Sequence, residues 1–280
     1  MGKEGDERLL TQLDDAGILT VTLNRPETKN AIDTVTQRLM SEAFYDASRN
    51  PAVHVVIFRG AGQAFSSGGD VRALGAPDPD DAIAQQWSSD PVWNDLESRS
   101  DRLRHFMDAS MLLHRMGKPT IAMVRGPAVG MGLSLALACD FRVASDTAFF
   151  MTGFARIGMC GDFGGSYFMT KLIGPSKTME LFMTNERVSA EEAARLGLVN
   201  RLVPDAQLEE RTLDFARQLA RGPAVAQRYI KENVHTALDH TFEQYLDVEA
   251  RNNVRCRLTL DCKEAISAFA EKREPRFVGR

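Results

Sequence analysis

Two stretches of the sequence share a design suited to holding a negatively charged oxygen. Val55-Val56-Ile57-Phe58-Arg59-Gly60 leads into Ala64-Phe65-Ser66-Ser67-Gly68-Gly69-Asp70, and Ile121-Ala122-Met123-Val124-Arg125-Gly126 leads into Gly130-Met131-Gly132. Each reads as a buried strand, an Arg-Gly exit and a loop of small residues whose backbone amides nothing shields. Brought face to face, such loops offer two N–H groups to one oxygen, which would stabilise an enolate or a tetrahedral oxyanion. One glycine-rich turn alone is an ordinary strand-to-helix connection; the doubling favours the chemical reading.

A third glycine-rich segment, Gly158-Met159-Cys160-Gly161-Asp162-Phe163-Gly164-Gly165, holds a single acid, Asp162, among small and apolar residues. Its plain role is to cap a helix starting near Gly164. Were its side chain buried instead, desolvation would raise its pKa while the nearby helix amino terminus opposed that rise. Phe149, Phe150, Phe154 and Phe163 are the side chains expected to exclude water there. Other chemistries fare worse. Neither loop has G-x-G-x-x-G spacing, and no Gly-Lys-Ser/Thr run supplies a phosphate-binding lysine. Gly132-Leu133-Ser134-Leu135-Ala136 loosely resembles a nucleophile elbow with His235 or His240 downstream, but the closing glycine is missing and Ser134 reads as helical.

The elements that must position these groups follow from periodicity. Leu19, Val21 and Leu23 alternate with threonines as a half-buried strand, ended at Asn24-Arg25-Pro26. Asp33 is placed to cap a helix whose apolar side runs Ile32, Val35, Leu39, Ala43, Ala47. From about Leu74 to Arg99 the pattern is irregular, with Pro77, Pro79, Pro91, Trp87 and Trp93, and reads as a surface loop with short helices that could lid a pocket. A helix is expected from about Ser100 to Met116, with His114 near its end. The segment after Gly132 is apolar on nearly every side and should be a buried helix. Asp140 and Arg142 beside it read as structural. Short strands are expected at Phe141 to Ala144 and Ala148 to Met151. Ser189 with Glu192 suggests a capped helix stopped by Gly197. Gly222-Pro223 divides an α/β core, residues 1–222, from a wholly helical tail, 223–280, suited to packing on the core or on a neighbouring subunit.

The chain has 280 residues, 44% hydrophobic and 26% charged, with a formal net charge of −4. That balance disfavours nucleic-acid and acidic-membrane partners, though not a local basic pocket. The amino terminus lacks the apolar stretch of a signal peptide and no run is long enough to span a bilayer, so the cytoplasm is the expected compartment. Cys139, Cys160, Cys256 and Cys262 show no C-x-x-C pairing, so neither a zinc site nor a redox dithiol is suggested.

From about Gly17 to Phe277 the chain resembles the crotonase, or enoyl-CoA hydratase/isomerase, superfamily. The matching motifs are Asn24-Arg25-Pro26 with Asn30-Ala31, Ala64-Phe65 through Gly69-Asp70-Val71, Gly126 through Gly132, Ala138-Cys139-Asp140, Gly158 through Gly165, and Ala268 through Arg273. Each is weak alone; their order makes the match specific. The resemblance implies an α/β fold, a spiral of ββα units with a carboxyl-terminal helical region, assembled as a homotrimer or homohexamer. It implies an acyl-CoA substrate and no cofactor beyond the coenzyme A of that substrate. It places the oxyanion donors on the amides of Gly69 and Met131. It places coenzyme A contacts around Arg25, Ala64, Ser66 and Arg72, with Phe269 and Lys272 reaching in from the tail.

The departure from the family pattern is informative. The glutamates of the family's hydratases fall here on Ser134 and Phe154, neither of which is a useful acid or base near neutral pH. Asp162 falls where single-aspartate isomerases of the family carry their aspartate. The expected activity is therefore a double-bond shift in an enoyl thioester, with Asp162 as proton shuttle. Hydration using Asp90, Asp95 or Glu97 as second acid, a non-catalytic acyl-CoA binder, and hydrolysis or carbon–carbon cleavage of an acyl-CoA are the competing readings.

Overall fold

The computed structural model describes residues 7–74, 81–92 and 94–280. The first strand, β1 (Leu9–Leu13), buries only Leu9, which is why its apolar pattern escapes a reading of the sequence. It pairs antiparallel with β2 (Ile18–Leu23). From there the sheet runs parallel through β3 (Val55–Gly60), β4 (Thr120–Val124), β6 (Phe141–Ser145) and β9 (Arg201–Val203). The pleat sorts each strand onto two cores. Val56, Phe58, Ala122 and Val124 face α1 (Thr34–Arg49), α4 (Asp108–Arg115) and α5 (Met131–Ala138), whereas Val55, Ile57, Ile121 and Met123 face α9 (Leu208–Ala220). Cover on both faces explains why these strands are continuously apolar.

A second, smaller sheet joins β5 (Pro127–Val129), β7 (Phe149–Met151) and β8 (Val188–Ser189). Single parallel bridges, Ser66 to Ala128 and Ile32 to Gly69, extend it. Successive turns of chain thus place one strand in the large sheet, a short strand or bridge in the small one, and then a helix. This is the expected ββα spiral. Gly126 makes the corner from β4 to β5 at φ +57, where a Cβ would land on the Gln63 carbonyl oxygen.

Asp33 caps α1 as expected, accepting from the Thr36 amide at 2.8 Å. The helix α5 is buried along its whole length. The single helix expected over 100–116 is two, α3 (Leu96–Phe106) and α4, broken at Met107, where Asp108 opens a new first turn. Within the irregular segment, α2 (Ala82–Ser89) presents Trp87 to Phe106; the readings of Pro77, Pro79 and Trp93 lie outside the described residues. Ser189 caps α8 (Ala190–Leu196), and Gly197 ends it at φ +89.

Beyond Gly222-Pro223 come α10 (Ala224–Ala237), α11 (Phe242–Arg257) and α12 (Leu260–Glu271). The first of these docks on the core through Lys231, which donates to Asp140 at 2.9 Å, and through His235, stacked on His114 at 3.9 Å. Burial, helped by the charges of His235, Lys231 and Arg115, pushes His114 down to about 4, so it packs as a neutral ring. Asp140 also accepts from the Thr120 amide, and Arg142 binds the carbonyls of Leu198 and Cys139, both structural duties as expected. Among the described residues no helix is long and apolar enough to cross a membrane.

Candidate active site

The two glycine loops meet. A Cβ on Gly68 would sit only 3.0 Å from the Val129 carbonyl oxygen and 3.7 Å from the Gly130 Cα, and its φ of +98 favours glycine. In the bridge to Ile32, Gly68 gives its carbonyl and Asp70 its amide, which turns the Gly69 N–H to the opposite side. Gly130 adopts φ 52, ψ −123, and Met131 follows as the first residue of α5, so its N–H has no acceptor within the helix. Behind the first loop, Ser66 donates to the Asn30 carbonyl at 2.8 Å and accepts from the Gly68 amide at 3.1 Å. Asn30 in turn donates to the carbonyls of Ala61 and Ala64. Buried Ser66 and Ala64 therefore shape the loop from behind.

Gly69 and Met131 both line a cavity of about 320 Å³, walled by apolar side chains that include Ile32, Val129, Met151, Phe154 and Met159. Among the described residues its carboxylates are Asp33, Asp70 and Asp162. The first two are neutralised in place. Arg25 reaches Asp33 at 2.9 Å and Asp70 at 3.3 Å, and Arg8 reaches Asp33 at 2.8 Å. Hydrogen bonds from Arg72, with the charges of Arg72 and Arg25, hold Asp70 below the usual carboxylate range against the opposing effect of burial.

Asp162 differs from both. Its Oδ1 is buried without any hydrogen-bond partner. Burial alone pushes its pKa up to about 7. It does not cap α6 (Gly165–Ile173): Gly164 holds that position at φ +77, and the Gly165 amide donates to the Asp162 main-chain carbonyl. The carboxylate is thus denied the helix amides, and desolvation prevails over the helix dipole. Phe163 beside it is fully buried at φ +47, a left-handed conformation uncommon for an aromatic residue, between Gly161 at φ +134 and Gly164. That turn drives the Phe163 ring into the core.

Of the residues singled out from the sequence, Gly69, Asp70, Val71, Met131, Phe154 and Asp162 line the cavity. Arg25 and Arg72 are tied to Asp70 at its edge. Ser134 lies beneath, buried, its hydroxyl donating to the Gly130 carbonyl at 3.2 Å and packed against Gly165. Phe269, 87% exposed, and Lys272, at the end of α12, do not line it. The expected phenylalanine wall reduces to Phe154, stacked parallel to Phe182; Phe150 and Phe163 belong to the core, and Phe149 lies under Arg187. Sequence reasoning missed the lining contribution of Thr34, Gln37 and Arg156. For Arg156 a signal existed: it is the lone cation between Phe154 and Asp162. A larger cavity of about 860 Å³ lies between α4, α6 and α10, away from both glycine loops.

A ββα spiral whose adjoining glycine loops border an apolar cavity, with one carboxylate there left unpaired among the described residues, has the architecture of the crotonase fold. The chain belongs to the enoyl-CoA hydratase/isomerase family, whose model matches residues 14–280. It is 33% identical over 94% of its length to a Rhodobacter capsulatus protein named "Probable enoyl-CoA hydratase", covering 95% of that protein. It is 31% identical to the trans-2-decenoyl acyl-carrier-protein isomerase of Streptococcus mutans, over 95% of this chain and 96% of that one. Among solved structures, an enoyl-CoA hydratase from Polaromonas sp. JS666 superposes with a TM-score of 0.82 at 31% identity, covering 96% of this chain and 99% of that one.

Proposed function

We propose that this family member is an enoyl-CoA isomerase in which Asp162 carries the proton. The observation behind this reading is that Asp162 is the one cavity carboxylate, among the described residues, without an arginine partner. The thioester oxygen accepts from the amides of Gly69 and Met131. The Asp162 carboxylate removes a proton from the carbon at one end of the allylic system, and the electron pair moves toward the thioester oxygen as a dienolate. The protonated Asp162 then returns the proton at the other end. One bond to hydrogen breaks and one forms, so the mass is unchanged.

Hydration would need a second group to hold water. Positions 134 and 154 carry no carboxyl, and Asp90, Asp95 and Glu97 line no part of the cavity; Asp95 uses its carboxylate to cap α3. A binder without activity would have no use for an unpaired base at neutral pKa. The exposed apolar side chains of the tail, such as Phe242, Leu258 and Phe269, favour a homotrimer or homohexamer in which residues 223–280 cover a neighbour.

The test is mass spectrometry after incubation with 2-enoyl-CoA, 3-enoyl-CoA and ring-bearing acyl-CoA thioesters. We expect rearranged product at constant mass. A product heavier by one water would replace this reading with that of a hydratase, and no turnover across the panel with tight coenzyme A thioester binding would make the protein a binder.

A further inference from the structure

Arg156 is the cavity charge left without a task. It sits on the 3₁₀ turn Phe154–Ile157, is exposed, lines the cavity, and its side chain makes neither an ion pair nor a hydrogen bond among the described residues. The other charged groups lining the cavity among the described residues are Asp33 and Asp70, both held by arginines, and Asp162. Arg156 is not paired with the base: no ion pair or hydrogen bond joins it to Asp162 among the described residues, and the Asp162 Oδ1 has no partner. Nor does it join Arg25 and Arg72, which cluster on Asp70 beside Gly69.

On the proposed function, the thioester is fixed at Gly69 and Met131 and the reacting carbons lie at Asp162. The remainder of the acyl group must then occupy the space bordered by Met151, Phe154, Ile157 and Met159, where Arg156 is the only charge among the described residues. We infer that the substrate's acyl group carries a carboxylate at its end distal to the thioester, and that Arg156 receives it. A guanidinium suits this duty because its planar donors match a carboxylate two-to-two. The apolar walls suit the short hydrocarbon between the two polar ends, and the modest volume suits a short acyl group. Arg156 is thus a specificity-determining residue for the class of mono-thioesters of dicarboxylic acids.

This rests on the proposed function only for the placement of the thioester, so the test uses compounds that cannot isomerise. Calorimetric titration of the full-length protein with glutaryl-CoA and valeryl-CoA compares a carboxylate with a methyl on chains of equal length, and free coenzyme A is the control. We expect glutaryl-CoA to bind about 10- to 100-fold more tightly, as a charge-assisted contact at a partly open site allows. Arg156→Met should erase that preference while leaving valeryl-CoA and coenzyme A affinity unchanged. Equal affinities in the unaltered protein would overturn the inference. So would an Arg156→Met loss shared by coenzyme A, since that would assign the arginine to a cofactor phosphate. Because turnover plays no part, a hydratase product in the earlier test would leave this result standing.

Discussion

Replacing Asp162 by asparagine should lower isomerase turnover by about 10³-fold, within the range that a positioned acid–base group supplies. Asparagine keeps the size and removes the proton-carrying function, so the affinity for a saturated acyl-CoA should hold. The pH profile gives a second, independent readout. Asp162 must be ionised to take the first proton, and its pKa lies at about 7. Activity should therefore rise close to tenfold per pH unit below neutrality and level off above it. An asparagine variant with unchanged turnover, or a wild-type profile flat from pH 5 to 8, would remove Asp162 from the mechanism.

Gly130→Ala should be nearly as damaging, although position 130 has no side chain to lose. The orientation of the peptide between residues 130 and 131 is set by ψ of Gly130, and that peptide carries the Met131 N–H. At φ 52, ψ −123 an alanine is strained. The available relief is to rotate that peptide, which swings the N–H from the cavity and breaks the bonds from the Ser134 amide and hydroxyl to the Gly130 carbonyl. Loss of one oxyanion donor predicts a fall of about 10²–10³-fold in kcat. The strain itself should destabilise the fold by roughly 1–3 kcal/mol. Kinetics alongside a denaturation curve would separate the two, and full activity in a folded alanine variant would mean that the Met131 amide is not a donor.

The loops were legible in the sequence because their chemistry is backbone chemistry. Strand, Arg-Gly and glycine run are written in residue order, and glycine at 68 and 130 reports backbone at positive φ that other residues rarely adopt. Asp162 was legible as a candidate, but its environment was not: whether a helix end or burial governs it depends on which residue takes the cap. That was decided by Gly164, whose positive φ places the aspartate outside the helix. The tie from Arg25 to Asp70 spans a long stretch of chain, and neither it nor the short-range tie to Asp33 leaves a periodic trace. Asp33 announced itself only as a cap, a role it does perform while also lining the cavity. The break at Met107 went unseen because both helices carry compatible apolar spacing across it.

The unpartnered oxygen of Asp162 also bears on how stable the protein can be. An aspartate ionises near 4 in an unfolded chain and here near 7, so between those values the folded state holds a proton that the unfolded state has released. Stability from this group is therefore present in acid, declines as pH rises from about 4 to 7, and above neutrality is lower by up to roughly 4 kcal/mol. The ionised base strains against the fold at the pH where it works. Asp162→Asn, expected to be slower in catalysis, should melt at a higher temperature than the unaltered protein at pH 8, and the gap should close near pH 5. A variant no more stable at pH 8 would mean that water or a rearranged donor satisfies the carboxylate, and that the base is less isolated than its surroundings imply.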